Sequence, residues 1–239
     1  MFRRTERPRA WLAWPLAALS VPCAVALLLA GSPSHNAVAQ DQTNATPSGE
    51  IGKAVLAEPP DGSTLFTIVS DESSAGYTVE EELAGVGDTE AVGTTNAIIG
   101  EIVIGPDGDP LAGSRLDIDL RTLTSDETRR DNYLRRDSLE SDTYPLATFV
   151  VTGVEDWTGP LEDGETVEFS LVGDLTVHGV TKEVTWETTA TLEDGDITGA
   201  ATTSVEMPDF EIEKPRVAMV LGVDETVQLD LTITATPAE

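Results

Sequence analysis

From Val227 to Ile233 every second residue is apolar: Val227, Leu229, Leu231 and Ile233 alternate with Gln228, Asp230 and Thr232. A period of two places one set on one face of an extended strand and the other set on the opposite face. The signature recurs along the chain. Leu65 to Val69 and Tyr77-Thr78-Val79 open the series, and Ala97 to Ile104 is apolar with Gly100 inside it. Leu116, Ile118 and Leu120 alternate with Asp117 and Asp119; Phe149 and Val151 alternate with Val150 and Thr152. Val167, Phe169 and Leu171 alternate with Glu168 and Ser170, and Val184, Trp186 and Leu192 share a face of the next strand. Asp107-Gly108, Asp163-Gly164 and Asp194-Gly195 are turn punctuation between such runs. Many strands with one apolar face imply an antiparallel sheet, curled or paired around one core. A two-sheet sandwich and a closed barrel both satisfy the pattern.

Composition agrees with an all-β domain. Thr and Val are abundant, and β-branched side chains suit a pleated surface better than a helix. One segment departs from the period. Thr124-Ser125-Asp126-Glu127 has the spacing of a capping box, with Thr124 as N-cap and Glu127 reaching back. It predicts a short helical insert near 125–140, ending before Tyr144-Pro145. The insert carries Arg129, Arg130, Arg135 and Arg136. Two readings of these arginines stand: a local preference for an anionic head group, or pairing with the acidic surface.

The N-terminus indicates export. Arg3, Arg4, Arg7 and Arg9 precede an apolar run from Ala10 to Ala30. Residues 1–30 are either a signal peptide, with small residues Ala37-Val38-Ala39 at the cut, or a retained transmembrane anchor long enough to span a bilayer. In both readings the basic flank stays inside. The domain is then periplasmic or extracellular, or tethered to the outer face of the cytoplasmic membrane by residues 10–30. Residues 31–62 are rich in Ser, Pro, Asn, Gln, Thr and Gly and read as a disordered polar linker. The packed domain is expected over 63–237. Cys23, the one cysteine, lies in the leader, so core and sheet must supply the exported domain's stability.

Charge narrows the partners. The first 39 residues hold four arginines and one glutamate; residues 40–239 carry ten basic and 42 acidic side chains, a net of −32. Nucleic acid and anionic membrane surfaces are not expected as direct partners. The acidic surface reads as a solubility device.

Several stretches, in a shared order over roughly residues 64–236, resemble the YceI-like family. They include Ser114-Arg115-Leu116-Asp117-Ile118-Asp119-Leu120, then Arg129-Arg130-Asp131-Asn132-Tyr133, then Tyr144-Pro145-Leu146-Ala147-Thr148-Phe149. Gly173-Asp174-Leu175-Thr176-Val177-His178-Gly179-Val180-Thr181-Lys182-Glu183-Val184 comes next, and Asp209-Phe210 stands before the last strands. Two positions depart from the family pattern: Tyr133 stands where many members have His, and no paired Phe precedes Tyr144-Pro145. The resemblance implies an antiparallel up-and-down β-barrel of about eight strands, lipocalin-like, that binds a polyisoprenoid lipid in an apolar interior. No obligatory cofactor is implied beyond a possible bound isoprenoid lipid or quinone. A membrane contact is implied only if the leader is retained, and the oligomeric state is left open.

A prenyl chain needs a continuous apolar lining, since each buried methylene contributes about 0.8 kcal/mol. Phe66, Ile68, Val79, Leu116, Ile118, Phe149, Val151, Phe169, Leu171, Val184, Trp186, Leu229 and Leu231 are the candidate interior residues. Each is equally suited to ordinary core packing, because a small barrel can fill itself with side chains. The function expected is therefore non-enzymatic storage or transport of an isoprenoid-type lipid by an exported barrel. The alternative is a surface interaction domain with a filled core and no ligand. Catalytic patterns are sparse. His178, the one His after Ala39, sits at a tight turn with no Gly-x-Ser-x-Gly elbow, which favours a turn or hydrogen-bonding role.

Overall fold

A computed structural model describes residues 50–56, 58–216 and 220–238. The leader and residues 31–49 of the linker lie outside the described residues. The strands are β1 (Thr64–Ile68), β2 (Ser74–Leu83), β3 (Gly87–Thr95), β4 (Ile98–Ile104), β5 (Arg115–Asp119), β6 (Thr124–Ser125), β7 (Leu146–Glu155), β8 (Thr166–Val177), β9 (Val180–Glu193), β10 (Asp196–Glu206), β11 (Val220–Val223) and β12 (Thr226–Pro237).

These twelve segments form eight barrel strands. β1 and β2 both pair with β12, with Ile68 opposite Ala235 and Ser74 opposite Thr232. They are one strand kinked by the 3-10 turn Ser70–Glu72. β3 and β4 pair with β2 and β1 and form the second strand, bent at Asn96-Ala97. β5 and β6 form the third, bent by the turn Leu120–Thr122. β11 and β12 follow one another along β2 as the eighth. Neighbouring strands are antiparallel throughout, and the β1–β12 pairing closes the ring. Closure removes the free edges that a sandwich would retain. The fold is the expected all-β up-and-down barrel.

Turn chemistry fits this meander. His178 and Gly179 take φ of 53° and 77°, and Asp194 and Gly195 take 53° and 91°. Two successive left-handed residues make the two-residue hairpin turn whose twist matches the flanking strands. Asp107-Gly108 lies in the β4–β5 connection, and Asp163-Gly164 in the longer β7–β8 connection.

The insert begins later than the capping-box spacing predicts. Thr124 and Ser125 are strand, and the helix α1 spans Thr128–Tyr133 with Glu127 as N-cap, its carboxylate accepting from Arg129 N. A five-residue π turn, Leu134–Ser138, continues it. Buried Asp131 reaches back to Ser125, accepting from its backbone N at 2.9 Å and its Oγ at 2.6 Å. That contact keeps 124–125 extended against β3 and displaces the helix start.

Part of the predicted linker is docked, which corrects the reading of 50–56 as disordered. Gly52 N donates to Asp117 Oδ2 at 2.6 Å, Ala54 N to Glu101 Oε2 at 2.9 Å, and Val55 N to the Gly113 carbonyl at 2.7 Å. Lys53 Nζ reaches Glu101 Oε1 at 2.6 Å. This strap runs over the outer face of β4 and β5. It accounts for part of the apolar run Ala97–Ile104: on the outer face of β4 Val103 is only 1% exposed, while Ile99 stays 46% exposed. Beneath the strap Arg115 and Asp117 form a buried two-bond pair, with Nε–Oδ2 at 2.8 Å and Nη2–Oδ1 at 3.0 Å. Thr148 Oγ1 also donates to Asp117.

Candidate functional site in the barrel interior

The alternation that builds the barrel also builds its cavity. A space of about 640 Å3 opens among the inward faces of β2, β7, β8, β9 and β12 and is roofed by the insert. Alternate residues point inward along each strand. Val79 comes from β2, Ile118 from β5, Phe149 from β7, Trp186 from β9, and Leu229 and Leu231 from β12. These six are sequence-predicted interior residues that the structure brings together on one cavity. Leu116, Val151, Phe169 and Leu171 lie deeper, around a separate chamber of about 80 Å3. Phe66 and Ile68 sit in the packed core and line neither space, and Val184 packs partly buried against that core.

The remaining lining has two sources. Leu175, Val177 and Val227 obey the same strand alternation. Leu120, Leu123, Leu134 and Leu139 come from the bend and the insert, and Met207, Phe210 and Ile212 from the turn after β10. Apart from Leu120, which continues the Leu116–Ile118 alternation, those irregular segments carry no period that assigns a side chain to a face, so sequence reasoning passes over them.

The cavity is amphipathic. Its polar lining gathers where the insert meets β2: Glu81, Asp126, Glu127, Arg129, Arg130 and Tyr77. Glu81 faces inward and is 8% exposed. Arg130 answers it at 2.7 Å and also holds Asp126. Arg136 pairs with Asp137, and Arg135 donates to the Leu123 carbonyl. Pairing therefore occupies Arg130 and Arg136, while Arg129 forms no ion pair among the described residues.

Tyr77 lies over Gly93, its register partner on β3. Burial pushes its hydroxyl up to about 12 from an ordinary 10.0. Its Oη, the Ser138 Oγ and the Trp186 Nε1 are buried without a hydrogen-bond partner among the described residues. An unsatisfied buried polar group costs about 1–3 kcal/mol, so partners for these atoms would add stability. His178 Nδ1 lies 3.2 Å from the Phe210 carbonyl and its ring stacks edge-on against Tyr144. It ties the β8–β9 hairpin to the turn after β10, the hydrogen-bonding role expected of it. Among the described residues no group of three or more His, Cys, Asp or Glu is placed to hold a metal ion, and no helix is long and apolar enough to cross a membrane.

The family comparisons match this geometry. The YceI-like domain profile covers residues 66–235, almost the whole barrel. A UPF0312 protein of Pseudomonas putida is 33% identical over 129 residues, which are 50% of this chain and 61% of that one. The chain thus spans less than two thirds of that relative's length. A UPF0312 protein of Vibrio cholerae is 27% identical over 191 residues, covering 77% of this chain and 94% of the relative. Among solved structures, a polyisoprenoid binding domain from Saccharophagus degradans superposes with a TM-score of 0.56 at 15% identity, over 72% of this chain and 98% of that one. Burkholderia cenocepacia BcnA gives 0.55 at 18% identity, over 71% and 99%. The structural likenesses establish a shared fold, and the profile match spans every strand that closes the ring: this chain belongs to the YceI-like domain family.

Proposed function

We propose that this protein is an exported, non-enzymatic carrier or store of an isoprenoid-type lipid, held tail-inward in the barrel. The carrying observation is the cavity of about 640 Å3, apolar through most of its lining and polar at the insert end. A water-insoluble chain gains about 0.8 kcal/mol per methylene buried there. The polar end offers Tyr77 and Ser138, whose oxygens lack partners, to a head group that can exchange hydrogen bonds. A quinone or a prenyl alcohol fits this division better than a compact polar ligand. The polyisoprenoid binding named for the Saccharophagus degradans domain supports the same ligand class. Export rests on the basic and apolar leader, with its two readings, cleaved or retained.

The alternative of a filled core and no ligand describes only the far half of the barrel, where the chamber is about 80 Å3. Blocking the larger cavity separates the two readings. Ala91 lines it and is 2% exposed. Ala91→Phe is expected to abolish quinone uptake, read by tryptophan fluorescence quenching, while the variant still melts cooperatively. Quenching equal to that of the wild type would contradict a ligand in this cavity.

A further inference from the structure

The larger cavity has a floor. Its lining and that of the smaller chamber share Phe149, Trp186 and Leu231. The rings of Phe149 and Trp186 meet edge to face with centroids 5.7 Å apart, and they are 2% and 3% exposed. Aromatic pairs in this arrangement attract beyond their buried area. Gly173 of β8 leaves room for one of them: a Cβ there would stand 2.6 Å from Phe149 Cε2 and Cζ. The floor is thus built into the strands and held by close packing. Below it the smaller chamber is apolar, lined by Leu116, Val151 and Phe169, with Trp157 and Leu161 from the β7–β8 connection.

The ends of the larger cavity are chemically distinct. Glu81, Asp126, Glu127, Arg129 and Arg130 gather where the insert meets β2, whereas the Asp230 carboxylate, beside Leu231, accepts from Thr202 and Gln228; the aromatic floor lies away from the insert. A lipid with one polar end therefore sits with its head at the insert and its tail directed at Phe149 and Trp186. We propose that Phe149, Trp186 and Leu231 act as a length ruler, ending the path of the tail and selecting prenyl chains short enough to stop at the floor. This rests on the lipid reading above. Two additional buried methylenes are worth about tenfold in affinity. A tail that meets the floor leaves its further units in water and forgoes that gain.

The test titrates the whole chain with farnesol, geranylgeraniol and solanesol, prenyl alcohols of rising length, followed by native mass spectrometry and tryptophan fluorescence. The wild type is expected to gain affinity with length and then stop gaining or lose it. Phe149→Ala is expected to shift the preference toward the longer alcohols by about tenfold, by joining the chambers. Phe149→Leu is expected to shift it in the same direction by less, and it carries the test if the alanine variant does not fold. Adding Ala190→Leu, which fills the lower chamber, is expected to restore the wild-type preference. Thermal melts identify the folded variants. An unchanged length preference in a folded Phe149 variant overturns the ruler and leaves the lipid reading standing. A wild type that binds none of the three alcohols overturns the lipid reading, and the ruler with it.

Discussion

Tyr77 condenses the interior into one side chain. It shares the inward parity of Ala75 and Val79 on β2, yet it carries a hydroxyl with no partner among the described residues. Burial favours the neutral phenol, so its folded pKa of about 12 lies above the ordinary 10.0. A raised folded value contributes stability that is complete below pH 10 and is lost as pH climbs toward 12. Alkaline absorbance titration should therefore show a tyrosinate forming near pH 12 that is missing from Tyr77→Phe. A step lost near pH 10 instead would contradict the burial of this hydroxyl. An inward charge marks the limit of the sequence reading. Val79, Phe149 and Leu231 announce the inner face because they are apolar at period two. Tyr77 shares that period with Val79, whereas an inward Glu81 is visible only once Arg130 is placed beside it.

At the scale of elements, the strap and the insert are what the strand pattern left unspecified. Residues 50–56 have the composition of a linker, and their local order is one turn, Lys53 N donating to the Glu50 carbonyl at 3.1 Å. They dock because long-range partners Glu101, Asp117 and Gly113 accept their hydrogen bonds. The two ion pairs beneath and beside the strap should differ sharply in weight. Asp117→Ala leaves Arg115, 2% exposed, as an uncompensated buried charge and should cost about 3–5 kcal/mol in urea unfolding. Lys53, with a side chain 56% exposed, meets a Glu101 side chain only 9% exposed, and Glu101 keeps the Ala54 N–H as a donor when Lys53 is removed, so Lys53→Ala should cost less than Asp117→Ala. Equal losses from the two variants would contradict the burial difference. The insert teaches a related lesson. The capping-box spacing locates a helix correctly but starts it early, because Asp131 holds Ser125 extended. Seven of the eight strands carry a strand signal of their own; β10 does not, because its inward Ile197, Gly199, Ala201 and Val205 include too few bulky side chains, and closure into a ring required the β1–β12 contact, which joins residues at opposite ends of the domain. The order of the family motifs supplied what periodicity could not.

Across the whole molecule, an apolar interior is enclosed by a surface of one dominant sign. Beyond the leader the net charge is −32, and no cysteine lies in that region to brace the barrel against self-repulsion. Screening this repulsion should stabilise the fold, so the melting temperature should rise from low to moderate sodium chloride. A flat or falling melting temperature would show that the acidic groups are already offset locally. On the carrier reading proposed above, the same charge would keep a loaded barrel dispersed in water while its cargo stays out of contact with solvent. The cavity of about 640 Å3 is the proposed seat of that cargo. The most direct measurement is native mass spectrometry of the protein purified without detergent, followed by organic extraction of the bound material. The account predicts a discrete added mass that extracts as a prenyl lipid or quinone. A bare protein mass that stays unchanged after incubation with quinones and polyprenols would contradict it.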